Sequence, residues 1–327
     1  MVNILILSAG TRDKVVQYFK KELGDAGKVI ATDCSELAPA IYEADEYVIV
    51  PRIDAPDYLD IILNICKEKK ITGVFSLIDP ELSLLAKHRE KFLAVNTTPI
   101  ISDYDKVETC FDKFKMYEKL QELGVKTGRC FMDAQAFFAA VQAGQMQYPV
   151  FLKPVCGSAS LNINKVNCKE EVELLCKLND DLMIQEFMNG QEYGADVYID
   201  MISGEVISIF VKKKIKMRAG ETDKSVSVKD EALFDLIKGF VEKMGFRGII
   251  DIDIFNIDGQ WYISEVNPRF GGGYPHAYAC GVNVPKMIIN NLKGIVNEPC
   301  IGAYRAGTVM MKFNEIMIKE DMGDCHG

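Results

Sequence analysis

Apolar and polar positions alternate in two rhythms over the first hundred residues. Residues 3–7 are a continuous apolar run that stops at a Ser8-Ala9-Gly10 turn, and residues 29–32, 46–50 and 73–77 repeat the pattern. Between them, residues 14–23, 58–69 and 81–91 carry apolar side chains at helical spacing. Strand and helix in alternation predict an α/β unit, an open parallel sheet wound on both faces, and such sheets bind ligands beyond the carboxyl ends of their strands. Ser8, Gly10, Arg12, Asp33, Asp79 and Glu81 occupy those ends. Helix caps and turns account for most of them without a ligand. No G-x-G-x-x-G follows the first strand, which counts against a dinucleotide site.

The pattern then changes. Residues 111–124 predict one helix with Met116, Leu120 and Leu123 on a single stripe, and residues 130–132 a short strand before a helix over 134–141. Residues 148–154 predict a strand carrying Lys153, followed by the small residues Cys156, Gly157, Ser158, Ala159 and Ser160. Small residues let backbone amides approach phosphate oxygens, and the lysine supplies charge. Strand runs resume over 182–187, 194–199 and 206–217, residues 220–229 read as a mobile loop, and 231–244 as an amphipathic helix. A helix over 284–292, a closing strand over 308–313 and a disordered tail beyond residue 319 complete the chain.

The most informative stretch spans residues 247–275. Residues 249–255 alternate apolar side chains with Asp251 and Asp253, residues 261–266 form a second such run, and Asp258-Gly259 between them is a hairpin turn signal. Burying unpaired carboxylates is costly. Mg²⁺, which takes Asp, Glu and Asn oxygens and shares its shell with phosphates, would account for them; solvated acids at the open end of a hairpin account for them equally well. An ideal two-residue turn would set Asp253 opposite Ser264 and send Glu265 to the other face. A three-residue loop over 257–259, with Gly259 left-handed and a bulge, puts Asp251, Asp253, Glu265 and Asn267 on one face, and that form is the expectation.

Composition narrows the classes. The 327 residues suffice for two or three lobes, and the net charge of −9 disfavours nucleic acid or an anionic membrane as partner. Ten cysteines without a C-x-x-C pair, signal peptide or long apolar run suggest reduced thiols in a cytoplasmic protein, and three histidines make a His-based zinc site a poor account. Against that acidic background Lys212, Lys213, Lys214, Lys216 and Arg218 stand out, and strand alternation would send Lys212, Lys214, Lys216 and Arg218 to one face.

Asp112-Lys113 with Leu120, Tyr148-Pro149 leading to Lys153 and its small-residue loop, Gln185 to Glu192, and Asp253, Glu265, Asn267 and Arg269 occur in one order. That ordered set resembles the ATP-grasp superfamily. The stretches APAIYEAD at 38–45 and SEVNPRFGGGYP at 264–275 look like one ATP-grasp half of the carbamoyl phosphate synthase large subunit and its short carboxylate-amine ligase relatives. The resemblance implies a pre-ATP-grasp domain over 1–105, a small lid lobe over 106–188 and a large lobe with the metal site over 189–318. It further implies ATP and two Mg²⁺ ions as cofactors, with Mn²⁺ an alternative metal.

Residue roles follow by the same resemblance. Lys113 and Lys153 match the phosphate-holding lysines, and residues 157–160, with Gly157 and Ser158, the flap over the triphosphate. Gln185, Glu186 and Met188 match the adenine hinge, and Glu192 the ribose acid. Asp253, Glu265 and Asn267 match the metal ligands. Asp253 departs from the more usual Glu or Gln. Arg269 matches the group that stabilises the transferring phosphoryl, with Lys214 and Arg218 as further catalytic candidates. The implied activity joins a small-molecule carboxylate to an amine, or to a thiol, through an acyl phosphate. The length suggests a stand-alone ligase rather than carbamoyl phosphate synthesis, and the family suggests a homodimer. A non-catalytic ATP-binding regulator and a kinase acting on a hydroxyl are the alternatives.

Overall fold

The computed structural model describes residues 1–157 and 162–319. Five parallel strands form the first sheet: β1 (Ile4–Leu7), β2 (Val29–Asp33), β3 (Glu46–Ile49), β4 (Gly73–Ser76) and β5 (Thr98–Pro99), in the order β3-β2-β1-β4-β5. Their near-continuous apolar sequences follow from burial on both faces. Leu5, Leu7, Ile30 and Val74 pack with Ile62, Leu82 and Leu85 on one side. Ile4, Ile6 and Phe75 pack with Val16 and Phe19 on the other, in a core continuous with that of the third sheet.

The second sheet is antiparallel: β6 (Cys130–Phe131), β7 (Val150–Pro154), β8 (Asn164–Val166) and β9 (Leu182–Glu186), in the order β6-β9-β7-β8. Helices Ala134–Gln142 and Lys169–Leu178 cover it, and Phe137, Leu152, Val172 and Ile184 form a separate small core. The third sheet runs β14-β13-β10-β11-β12-β15, from β10 (Gln191–Ile199), β11 (Val206–Arg218), β12 (Glu221–Val228), β13 (Gly248–Ile257), β14 (Gln260–Asn267) and β15 (Val309–Met311). The chain is therefore α/β, with a parallel sheet followed by two antiparallel ones.

Three expectations change. The helix expected over 111–124 is present as Lys113–Glu122. It starts two residues later because a further helix, Tyr104–Phe111, which was not expected, precedes it and the two meet at Asp112. The Asp112 carboxylate caps the second by accepting from Phe114 N at 3.0 Å and Lys115 N at 2.9 Å. The loop expected over 220–229 is strand β12. Its inward face consists of hydroxyls rather than hydrocarbon, so no apolar alternation marked it: Ser225 Oγ lies 2.8 Å from His276 Nδ1, and Ser227 Oγ donates to Arg305 O at 2.8 Å.

The third change concerns the hairpin. Ile257 pairs with Gln260 around a regular two-residue turn, with Asp258 at φ 50° and Gly259 at φ 78°. The irregularity lies five residues further on. Ile254 pairs with Ile263 but Asp253 pairs with Glu265, so Ser264 is the extra residue. Asp251 then faces Asn267, and the four side chains share a face as expected, for a different reason. The tail beyond residue 319 and the flap residues Ser158 to Ser160 lie outside the described residues.

Candidate functional site

Strand register assembles the site. On β10, the period of two puts Glu192, Gly194 and Asp196 on one face, and pairing sets Gly194 beside Asp253 of β13 and Lys212 of β11, and Asp196 beside Asp251. Gly194 is required there. A Cβ would lie 3.1 Å from Lys212 Cε and 3.2 Å from Lys214 Cε, so its absence lets two lysine stems cross the strand.

Lys214 Nζ lies 2.6 Å from Glu192 Oε1 and also donates to Asp253 Oδ1. Burial alone would lower the Lys214 pKa, but Asp253 and Glu192 outweigh it and raise it. Glu192 moves up chiefly through burial, with Lys214 opposing. Beneath this pair Lys212, 1% exposed, is ion-paired with Asp196 and lies 3.8 Å from Asp251 Oδ1. Burial pushes Asp196 up to about 6 against the pull of Lys212, and its Oδ1 has no hydrogen-bond partner among the described residues.

The second sheet supplies the opposite wall. Lys153, on β7 and 6% exposed, reaches to 3.9 Å from Glu265 Oε2. Lys113 opens its helix, where it would oppose the helix dipole, and is held instead by contacts to the strand-end loop: its backbone N donates to Val155 O at 3.0 Å and its Nζ to Gly157 O. Gln185 and Met188 are buried at the junction of the second and third sheets. Glu186 turns its carboxylate to Arg129 N at 3.0 Å, and the Met188 carbonyl accepts from Gly190 N at 3.1 Å.

The first sheet contributes as well. Arg269 Nε lies 3.0 Å from Asp79 Oδ1 and its Nη2 donates to Asn267 Oδ1 at 3.2 Å. Burial opposes the charge on Arg269, but Asp79 and Asp251 outweigh it and raise its pKa. The neighbouring Phe270 anchors this arrangement, with ring centroids 5.9 Å from Phe19 and 5.5 Å from Phe75. Asp79, Cys110, Lys113, Gly157, Glu265 and Asn267, from all three sheets' surroundings, line one narrow cleft.

Lys113, Glu265 and Asn267 line this cleft, and Lys153, Arg269 and Asp253, with Lys214 and Glu192 behind it, join them through contacts with Glu265 and Asn267 and through strand register. Arg218 does not join them. The β11–β12 ladder shifts register after Lys214, and Arg218 ends half-exposed, 2.8 Å from Asp223 Oδ1. Among the sheet-end candidates, Arg12 and Asp79 face the cleft, whereas Asp33 caps Gly10 N and Ser35 N at 2.9 and 3.0 Å, and buried Glu81 accepts from the Tyr58 and Ser76 hydroxyls. Sequence reasoning missed Asp196 and Glu221. Asp196 was visible in principle as a charge in the apolar run of β10, in phase with Glu192.

Asp79, Glu192, Asp196, Asp251, Asp253 and Glu265 interleave here with Lys153, Lys212, Lys214 and Arg269, and Lys113 and Arg12 lie at the edges of the group. No three His, Cys, Asp or Glu side chains among the described residues converge on one metal position, and Lys214 and Lys153 stand beside the acids. The oxygen donors of Asp253, Glu265 and Asn267 on one face fit a hard divalent cation.

Comparison with known proteins gives the same picture. Residues 4–100 match the PylC-like N-terminal domain family. The arginine-specific carbamoyl phosphate synthase large chain of Geobacillus stearothermophilus is 26% identical over 179 residues, covering 51% of this chain and only 17% of that protein. The coenzyme gamma-F420-2:alpha-L-glutamate ligase of Methanococcus maripaludis is 28% identical over 202 residues, 58% of this chain and 68% of the relative. The biotin carboxylase domain of the Hydrogenobacter thermophilus 2-oxoglutarate carboxylase, solved with MgADP and bicarbonate, superposes with a TM-score of 0.76 at 18% identity over 94% of this chain and 73% of its own, a likeness of fold. The ATP-grasp domain profile matches residues 110–273, just over half of the 327 residues, and the chain belongs to the ATP-grasp family.

Proposed function

We propose that the protein is an ADP-forming ligase that joins a small-molecule carboxylate to an amine through an acyl phosphate. The observation that carries this reading is the meeting of Lys113 and Lys153 from one side with Glu265 and Asn267 from the other, Asp253 pairing with Glu265 and Arg269 bonded to Asn267. ATP would bind between the second and third sheets, with its phosphates on Lys113 and Lys153, its ribose on Glu192 and its base at the buried Gln185–Met188 junction. Asp253, Glu265 and Asn267 would hold Mg²⁺, which supplies charge neutralisation at the transferring phosphoryl oxygens.

A substrate carboxylate oxygen attacks the γ-phosphorus; the new O–P bond forms as the bond to the β-phosphate oxygen breaks, and ADP departs. Arg269, fixed by Asp79 and Asn267, stabilises charge on the transferring group. The amine then attacks the acyl carbon, the C–O bond to phosphate breaks, and the nitrogen loses a proton. The lid sheet keeps water from the acyl phosphate.

Trapping with hydroxylamine tests the reading. Incubation with ATP, Mg²⁺ and a panel of carboxylates should yield a hydroxamate, and Arg269→Ala and Glu265→Ala should reduce ADP release by about 10²–10³. Wild-type turnover in both variants would overturn the assignment. A phosphorylated hydroxyl product without hydroxamate would identify a kinase instead.

A further inference from the structure

The loop that follows Arg269 packs against charged groups that phosphoryl transfer does not use. Arg12, in the loop after β1, places Nη2 2.7 Å from Glu221 Oε1, and Lys312, just beyond β15, places Nζ 2.7 Å from Glu221 Oε2. Three distant segments therefore meet at one carboxylate. Arg12 and Glu221 are 25% and 36% exposed, and ion pairs so open to water contribute little to stability. The packing around them is nevertheless tight. A Cβ on Gly272 would lie 2.8 Å from Arg12 Nη1 and 2.7 Å from Glu221 Cδ, so glycine brings the loop that follows Arg269 directly against the pair.

The charges favour an anion. Glu221 is held by two cations and stays ionised: burial opposes this, but Arg12 and Lys312 outweigh it and lower its pKa. The triad carries one net positive charge. Glu221 is the only acid within ion-pair distance of Arg12 among the described residues, and one contact leaves most of the guanidinium donors available. A guanidinium fork suits a carboxylate or a phosphate. One excess positive charge, with Asp251 and Asp79 also near Arg12, suits the single charge of a carboxylate better than the double charge of a phosphate. Gly272, three residues after Arg269, packs against Arg12, so an anion on Arg12 lies near the Arg269 end of the site.

We infer that Arg12, aligned by Glu221 and backed by Lys312, binds a second, non-reacting carboxylate of the substrate activated at Arg269, so that the enzyme takes dicarboxylates, acidic amino acids included, in preference to monocarboxylates. The inference rests on the ligase reading above.

The test compares compounds that differ by that one group, glutarate against butyrate and glutamate against 4-aminobutyrate. ADP release and calorimetric binding to the full chain, with and without a non-hydrolysable ATP analogue, are both measured. The dicarboxylate should be favoured about 100-fold in kcat/KM. Arg12→Ala should raise its KM about 100-fold with kcat within about threefold, and leave the monocarboxylate unchanged. Arg12→Lys should recover part of the loss. Equal binding of the paired compounds to the wild type, or a preference that survives in an Arg12→Ala protein that still binds nucleotide, overturns the inference. No ADP release with any carboxylate would count against the ligase reading alone, because the binding comparison still decides the role of Arg12. If Arg12→Ala does not fold, Arg12→Lys and Glu221→Gln carry the same comparison.

Discussion

Glu265 faces Asp253 across β13 and β14 because Ser264 is extruded from the ladder between them. The turn itself is regular, so the position of the acid depends on which residue takes the bulge. The double variant Ser264→Glu/Glu265→Ser keeps composition and charge but moves the carboxylate into the bulge. ADP release should fall by about 10²–10³, as for removal of Glu265 itself. Activity within about tenfold of wild type would show that the register does not matter.

Lys214 is the cation between Glu192 and Asp253. Lys214→Met leaves two acids without their partner, and removing one side of a buried pair typically costs about 3–5 kcal/mol. Urea denaturation should show that loss, and millimolar Mg²⁺ should restore more stability to the variant than it adds to the wild type. An equal response in both proteins would separate the acids from metal binding.

Two glycines should respond with opposite signs. A Cβ on Gly271 would lie 2.4–2.6 Å from the carboxyl atoms of Asp251, so Gly271→Ala must push that side chain off Lys212, at a cost of about 1–3 kcal/mol. Gly239 lies inside the helix Glu231–Met244 with nothing within 4 Å of its would-be Cβ, and Gly239→Ala should stabilise by about 0.5–1 kcal/mol. Thermal melts of the two variants check both signs.

Asp200 is fully buried and accepts from Ile202 N, Ser203 N, Asn291 Nδ2, Asn297 N and Asn297 Nδ2 at 2.8–3.0 Å. Burial opposes ionisation, but the donors from Asn291, Ser203 and Asn297 outweigh it and bring the pKa to about 2, below the ordinary 3.8. An acid with a depressed folded-state pKa stabilises above its unfolded value, and that contribution disappears as pH falls through the folded value. About 2 kcal/mol should therefore be lost between about pH 4 and pH 2. Asp200→Asn should remove this part of the pH dependence; an unchanged acid profile would assign it to other groups.

What could be read from the sequence was what alternates against hydrocarbon. Asp251 and Asp253 stood out because strand neighbours made them anomalous, and the parallel sheet followed from its apolar runs. β12 was hidden because its buried face is serine and its partners, His276, Arg305 and Thr308, come from later segments. The even spacing of the basic run pointed to one face for Lys212 through Arg218, but the register shift after Lys214 leaves Lys216 and Arg218 exposed. The hairpin bulge was placed at the turn, the only irregularity that local sequence suggested. Contacts such as Arg12 with Glu221 join residues whose local sequences carry no mark of each other.

The pairing of Arg269 with Asp79 spans 190 residues and joins the third sheet to the first. The first sheet therefore helps to hold Arg269 in place, and the two sheets are not independent modules. Grafting the first hundred residues of another family member onto this chain would have to supply an acid at the position of Asp79 and an aromatic seat for Phe270. Evolutionary exchange of the leading domain should thus be confined to partners that preserve this junction.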